Sequence, residues 1–302
     1  MQGRSDRRLL DELEQRETNR HVDLCLVVRH LDTKDTLLYA GGRWDRVEQK
    51  FTDEEPRAAR FIDVHRGQAD YIEWFATWLR DFREGFPRDT SLALAGGDRR
   101  GGKTFSLFLS QLCALVDVPN TIGWAVSVAN TERDEIDRQV REVLPASWYV
   151  YREWPKHQAT LINGSILTNV SADDPDTTKR GRVDIGFLNE PQKMQRRVLT
   201  NLIKGTADRG GLAILAANPP ETSKGEWVFD LHEAIEEGKF QKNKPKYFNY
   251  DSRLNPFVDQ EANDRAGEVL WIIDPKSAAA NDKGIWRRPG EMAYEAFRRK
   301  VN

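Results

Sequence analysis

The chain has 302 residues, 39% hydrophobic and 10% aromatic, enough apolar material for a full-sized core and a smaller second unit. Its 46 basic and 48 acidic side chains nearly cancel, which excludes a bulk positive field and confines any nucleic-acid contact to a local patch. The two cysteines, Cys25 and Cys113, lie in apolar runs without metal-like or C-x-x-C spacing, so no zinc site is available and a reducing compartment is expected.

The charged start, Met1 to Thr18, reads as helical and lacks the apolar core of an export signal. No apolar stretch reaches the roughly 18 residues of a membrane span, so a cytoplasmic chain without membrane contact is expected. Residues 1–60 form an accessory segment, with an apolar strand-like run at Asp23 to Arg29 and a turn signal at Ala40-Gly41-Gly42. Residues 61–251 alternate apolar runs with amphipathic stretches, the pattern of parallel β-α-β units. Strands are predicted at Ser91 to Ala95, Thr121 to Ala129, Val183 to Leu188 and Leu212 to Ala217. Helices are predicted at Lys103 to Val116 and Thr131 to Leu144, the second opening on the capping pattern Thr131-x-x-Asp134. Asn163-Gly164 between two β-type runs predicts a two-residue hairpin. Residues 252–302 read as a lid or linker with one helix at Gln260 to Leu270 and a helical end at Glu291 to Val301. The fold class expected is α/β: a mostly parallel sheet flanked by helices, with this small C-terminal subdomain.

Gly97-Asp98-Arg99-Arg100-Gly101-Gly102-Lys103-Thr104 fits the Walker A pattern, so the α/β fold expected is that of a P-loop NTPase of the RecA/ASCE kind. The glycines let backbone N–H groups form an anion nest at a helix N-terminus, where the helix dipole also favours negative charge. Lys103 would bridge the β- and γ-phosphates, and Thr104 would ligate Mg²⁺. Arg99 and Arg100 add positive charge, to meet the γ-phosphate, or else to stand in solvent or pair with nearby acids. The strand ending Leu188-Asn189-Glu190 supplies the acid such a site needs. Glu190 reads as catalytic base, or as the cap of the next helix. Asn189, where this motif usually has Asp, is a metal-site candidate that can accept a hydrogen bond from a magnesium-bound water but brings no charge. Leu212 to Ala217 is followed by Asn218-Pro219-Pro220, which holds Asn218 at a strand's C-terminal end, as a γ-phosphate sensor or as the start of a turn.

These motifs together resemble the ATPase domain of phage large terminase subunits, the motors that package viral DNA. Arg66-Gly67-Gln68 resembles that family's adenine-recognition segment, with the Gln68 amide on the base edge. Thr178-Lys179-Arg180-Gly181 resembles its arginine segment, so Arg180 would act on a neighbouring subunit's nucleotide, with Arg182 and Arg133 as rivals and a salt bridge to Asp173 or Asp176 as the plain alternative. Asn255 to Asp259 and Asp282 to Trp286 resemble the stretch leading to the family's nuclease, and no nuclease activity is expected from these 302 residues. The resemblance implies ATP and Mg²⁺, double-stranded DNA, a portal protein and a small terminase subunit as partners, and a homo-oligomeric ring. Arg196-Arg197 with Lys204, and Lys239 to Lys246, are the patches open to DNA or to solvent. A helicase, a small-molecule kinase and a non-hydrolysing assembly protein are the rival readings.

Overall fold

The computed structural model describes residues 20–128, 130–153, 157–179, 181–275, 278, 284 and 286, with only the backbone at 130–132. The predicted helices at the two ends, the Thr131 cap and Arg180 lie outside the described residues.

A small sheet comes first, from β1 (His21–His30), β2 (Thr36–Asp45), β3 (Lys50–Phe51) and β4 (Arg60–Val64), in the order β3-β2-β1-β4. The apolar run at Asp23 to Arg29 falls within β1, whose residues Leu24 to Val28 are buried. Ala40-Gly41-Gly42 is not a turn: it lies inside β2, opposite Leu26, Cys25 and Leu24. Gly41 has φ +85°, and a Cβ there would meet the Leu24 carbonyl oxygen at 2.0 Å, so the glycine serves close strand approach rather than chain reversal.

Helix α1 (Arg66–Arg83) follows, opened by a capping box in which the His65 side chain accepts from the helix backbone and Gln68 reaches back to the His65 N–H. Tyr71, Ile72, Phe75, Trp78 and Leu79 recur at helical spacing and are buried, each such side chain contributing about 1.5–3 kcal/mol.

The large sheet contains β5 (Leu92–Gly97), β6 (Ile122–Ser127), β7 (Tyr149–Arg152), β8 (Gln158–Leu161), β9 (Ile166–Ser171), β10 (Ile185–Asn189), β11 (Leu212–Ala216) and β12 (Lys246–Tyr250). Their order is β12-β5-β11-β10-β6-β9-β8-β7, parallel from β12 to β9 and antiparallel beyond. Strands β5, β10 and β11 are buried along their whole length, which is why they read as unbroken apolar runs. One face packs on α1, α2 (Lys103–Asp117), α3 (Asn130–Val143) and the small sheet in a shared core. The other face packs on α4 (Arg196–Ala207) and α5 (Glu226–Glu236). A further helix, α6 (Gln260–Ile273), is capped by Asp259, which accepts from the Ala262 N–H at 3.0 Å.

The hairpin β8–β9 forms, but across four residues, 162–165, rather than two. Asn163 is drawn inward, donating its amide to the carbonyls of Leu115 at 2.9 Å and Val116 at 3.1 Å, and so caps the end of α2 instead of standing at a tip. Among the described residues no helix is long and apolar enough to cross a membrane.

Candidate nucleotide site

Strand β11 lies between β5 and β10, so the C-terminal ends of three adjacent parallel strands meet at one edge of the sheet, the position where open α/β sheets place ligands. β5 delivers the loop from Gly97 to Gly102. Gly97 (φ +107°) passes so close to β12 that a Cβ would meet the Tyr250 carbonyl at 2.1 Å. Gly102 (φ +87°) turns the chain into α2, whose first N–H groups receive no side-chain cap at Gly102; a helix start of this kind can hold an anion. Lys103 is buried, its ammonium donating to the carbonyls of Gly97 at 3.0 Å and of Asp98. Burial pulls the Lys103 pKa down to about 8, opposed by the charges of Asp98 and Glu190.

From β10 come Asn189 and Glu190. The Thr104 hydroxyl donates to Asn189 Oδ1 at 3.1 Å. Glu190 has left-handed backbone geometry (φ 55°, ψ 54°), which turns its carboxylate out of the strand, and it pairs with Lys193 one turn on. From β11 comes Asn218, 9% exposed, whose N–H donates to Gln192 Oε1 at 3.3 Å and whose Oδ1 is buried without a hydrogen-bond partner. A cavity of about 530 Å³ is bordered by Arg99 to Thr104, Asn189, Glu190, Lys193 and Asn218.

No protein-family model and no curated protein matches the sequence. Solved structures do. The large terminase of the thermophilic bacteriophage D6E superposes with a TM-score of 0.55 at 13% identity, over 74% of this chain and 53% of that one. The same protein in complex with ATP-gamma-S gives 0.53 at 13% identity, over 74% and 52%. Its ADP complex gives 0.50 at 14% identity, over 67% and 49%. The chain has the fold of the matched part of these large terminases. It spans about half the length of the D6E terminase, 53% of that chain.

Within this terminase fold the remaining predicted residues are placed as follows. Gln68 does not border the cavity: it is buried, its Oε1 accepting from the His65 N–H at 3.1 Å and its Nε2 donating to the Gly102 carbonyl at 3.1 Å. Asp98 turns its carboxylate onto Ser252, accepting from the N–H at 3.3 Å and the hydroxyl at 3.1 Å, and burial pushes its carboxyl pKa up. Arg100 aims its guanidinium at Asn263 on α6 (2.8 Å), while Arg99 is exposed at the cavity rim. Of the arginine rivals, Arg182 is exposed and Arg133 is half-buried with its Nε unpartnered; Asp176 pairs with Lys179 at 2.7 Å and Arg197 at 3.5 Å. In the second basic patch Lys239 pairs with Glu237 and Lys244 with Asp89 at 2.8 Å.

Sequence reasoning missed Lys193 and Gln192. The spacing of Lys193 three residues after Glu190 was the available signal, since a turn brings that pair together. It also missed the contacts of Trp286. Trp286 packs over Gly96, stacks on His232 with centroids 4.4 Å apart, and donates to the Tyr247 hydroxyl at 3.0 Å.

Proposed function

We propose that this chain is an ATP-hydrolysing motor unit that drives double-stranded viral DNA into a procapsid. The observation that carries the reading is the convergence of Lys103, Thr104, Asn189, Glu190 and Asn218 on one cavity at the strand ends, in a fold shared with large terminases. The proposed units are an accessory segment at 1–60, the ATPase core at 61–251 and a lid or linker at 252–302.

The oxygens fit magnesium. Thr104 Oγ1 and Asn189 Oδ1 already lie together, and among the described residues no group of three His, Cys, Asp or Glu forms a protein-only metal cage. Mg²⁺ favours few protein oxygens completed by waters and substrate phosphates. When bound, the ion neutralises charge on the phosphates. The loop N–H groups and Lys103 hold the phosphate chain of ATP. Glu190 takes a proton from water as the water oxygen attacks the γ-phosphorus, and the bridging oxygen leaves with ADP. For that step the Glu190 carboxylate must leave Lys193. Asn218, with its unpartnered oxygen at the cavity, reports loss of the γ-phosphate along the segment after β11. In a homo-oligomeric ring the arginine at position 180 would stabilise charge on a neighbour's transferring phosphoryl group. The portal protein and small terminase subunit are its proposed partners, in the host cytoplasm.

Steady-state hydrolysis of ATP with and without double-stranded DNA tests this reading. Turnover stimulated by duplex of any sequence, and abolished by Lys103→Ala, is expected; turnover indifferent to DNA would favour a small-molecule kinase or assembly protein.

A further inference from the structure

A second cavity, of about 340 Å³, adjoins the first and shares Arg99, Lys193 and Asn218 with it. Its other walls come from Val128, from Pro219, Glu221 and Thr222 after β11, and from two turns. One is Pro191–Lys193, directly after Glu190. The other is Ser223–Gly225, before α5, which brings Lys224 to the rim. The turns are pressed together: a Cβ on the buried Gly225 would meet the Gln192 carbonyl at 2.7 Å. Trp227 adds a hydrogen bond to the Met194 carbonyl at 3.1 Å. Lys224 is therefore fixed relative to the segment that carries the candidate base.

Two cations, Arg99 and Lys224, face this space beside Lys193, which pairs with Glu190, against one carboxylate, Glu221. A wall with that balance attracts a small anion and repels a neighbour's arginine or lysine. The buried, unpartnered Asn218 Oδ1 offers an acceptor to a protonated oxyanion. The volume lies in the range of small-ligand sites. We propose that this second cavity is a transit site for inorganic phosphate, received from the cradle across the Arg99–Lys193–Asn218 wall after hydrolysis. The site deepens the ATP-hydrolysing reading and rests on it for the source of the phosphate. No bond is made or broken in the transfer: hydrolysis supplies the ion, and the cationic wall holds it.

The test is equilibrium dialysis of radiolabelled inorganic phosphate against the full chain saturated with ADP, comparing the parent with Lys224→Glu and Lys224→Arg. Phosphate affinity severalfold weaker in Lys224→Glu and restored in Lys224→Arg is expected, because charge rather than turn geometry is what the lysine supplies. Unchanged phosphate binding in Lys224→Glu overturns the proposal, and so does a loss confined to duplex DNA binding. Steady-state hydrolysis, run in parallel, separates the two claims. A chain that hydrolyses ATP without Lys224-dependent phosphate binding refutes the transit site alone. A chain without hydrolysis that keeps Lys224-dependent phosphate binding refutes the motor reading and leaves the anion site standing.

Discussion

Thr104 on the first turn of α2 donates its hydroxyl to Asn189 at the end of β10, 3.1 Å away across the candidate site. The pair occupies the place where a phosphate-binding helix and an acid-bearing strand would share a metal ion, yet both partners are neutral. A carboxylate there would add the charge on which hard cations depend. Asn189→Asp is therefore expected to lower the magnesium concentration needed for half-maximal hydrolysis, several-fold, read from a Mg²⁺ titration. An unchanged requirement would separate Asn189 from the metal.

Gln68 tests a different point. Its amide ties the start of α1 to Gly102, so it supports the cradle from beneath. Gln68→Ala should cost about 1 kcal/mol through the lost capping box, measurable by thermal unfolding. It should also weaken ATP and GTP alike, because the defect lies in the loop. Weakening confined to ATP would support the base-reading role expected from the sequence.

Gly284 and Trp286 bear directly on the loop. A Cβ on Gly96 would meet Trp286 at 2.6 Å, and one on Gly284 would meet the Gly97 backbone at 2.7 Å. The ring that holds Trp286 in place is His232, whose pKa burial pulls below the ordinary value, against the opposing charges of Glu236 and Glu233. A depressed imidazole pKa means that the unfolded chain binds protons more readily, so this contribution is present above the unfolded value and is lost as pH falls through the folded one. Melting temperature should therefore drop on acidification through the histidine range more in the parent than in His232→Phe, which keeps the stack and cannot titrate. Equal pH dependence of the two would remove His232 from the docking of Trp286.

The strands of the core were legible because they are buried on both faces and so read as plain apolar runs between turn residues. The cradle, Asn189, Glu190 and Asn218 were legible because each stands at a strand end where apolar sequence stops. What could not be read were tertiary uses of local signals. Ala40-Gly41-Gly42 has a turn's composition, but Gly41 answers to the Leu24 carbonyl, a neighbour visible only once the sheet exists. Asn163-Gly164 has hairpin composition, but the asparagine is claimed by the end of α2. Asp98 and Arg100 belong to the loop motif, yet their side chains bind Ser252 and Asn263, residues far along the chain. The pattern is consistent: residues whose placement is set by the backbone were readable, and side-chain contacts to a distant partner were not.

The central claim is that Glu190 activates water for ATP hydrolysis at this cavity, and a single-turnover experiment with Glu190→Gln tests it most directly. Glutamine keeps the shape and the polar contacts and cannot accept the proton. The rate of bond cleavage should fall by about 10²- to 10⁴-fold, the usual contribution of a general base, while ATP binding measured on the same variant persists. Cleavage at the parent rate in Glu190→Gln would contradict the account.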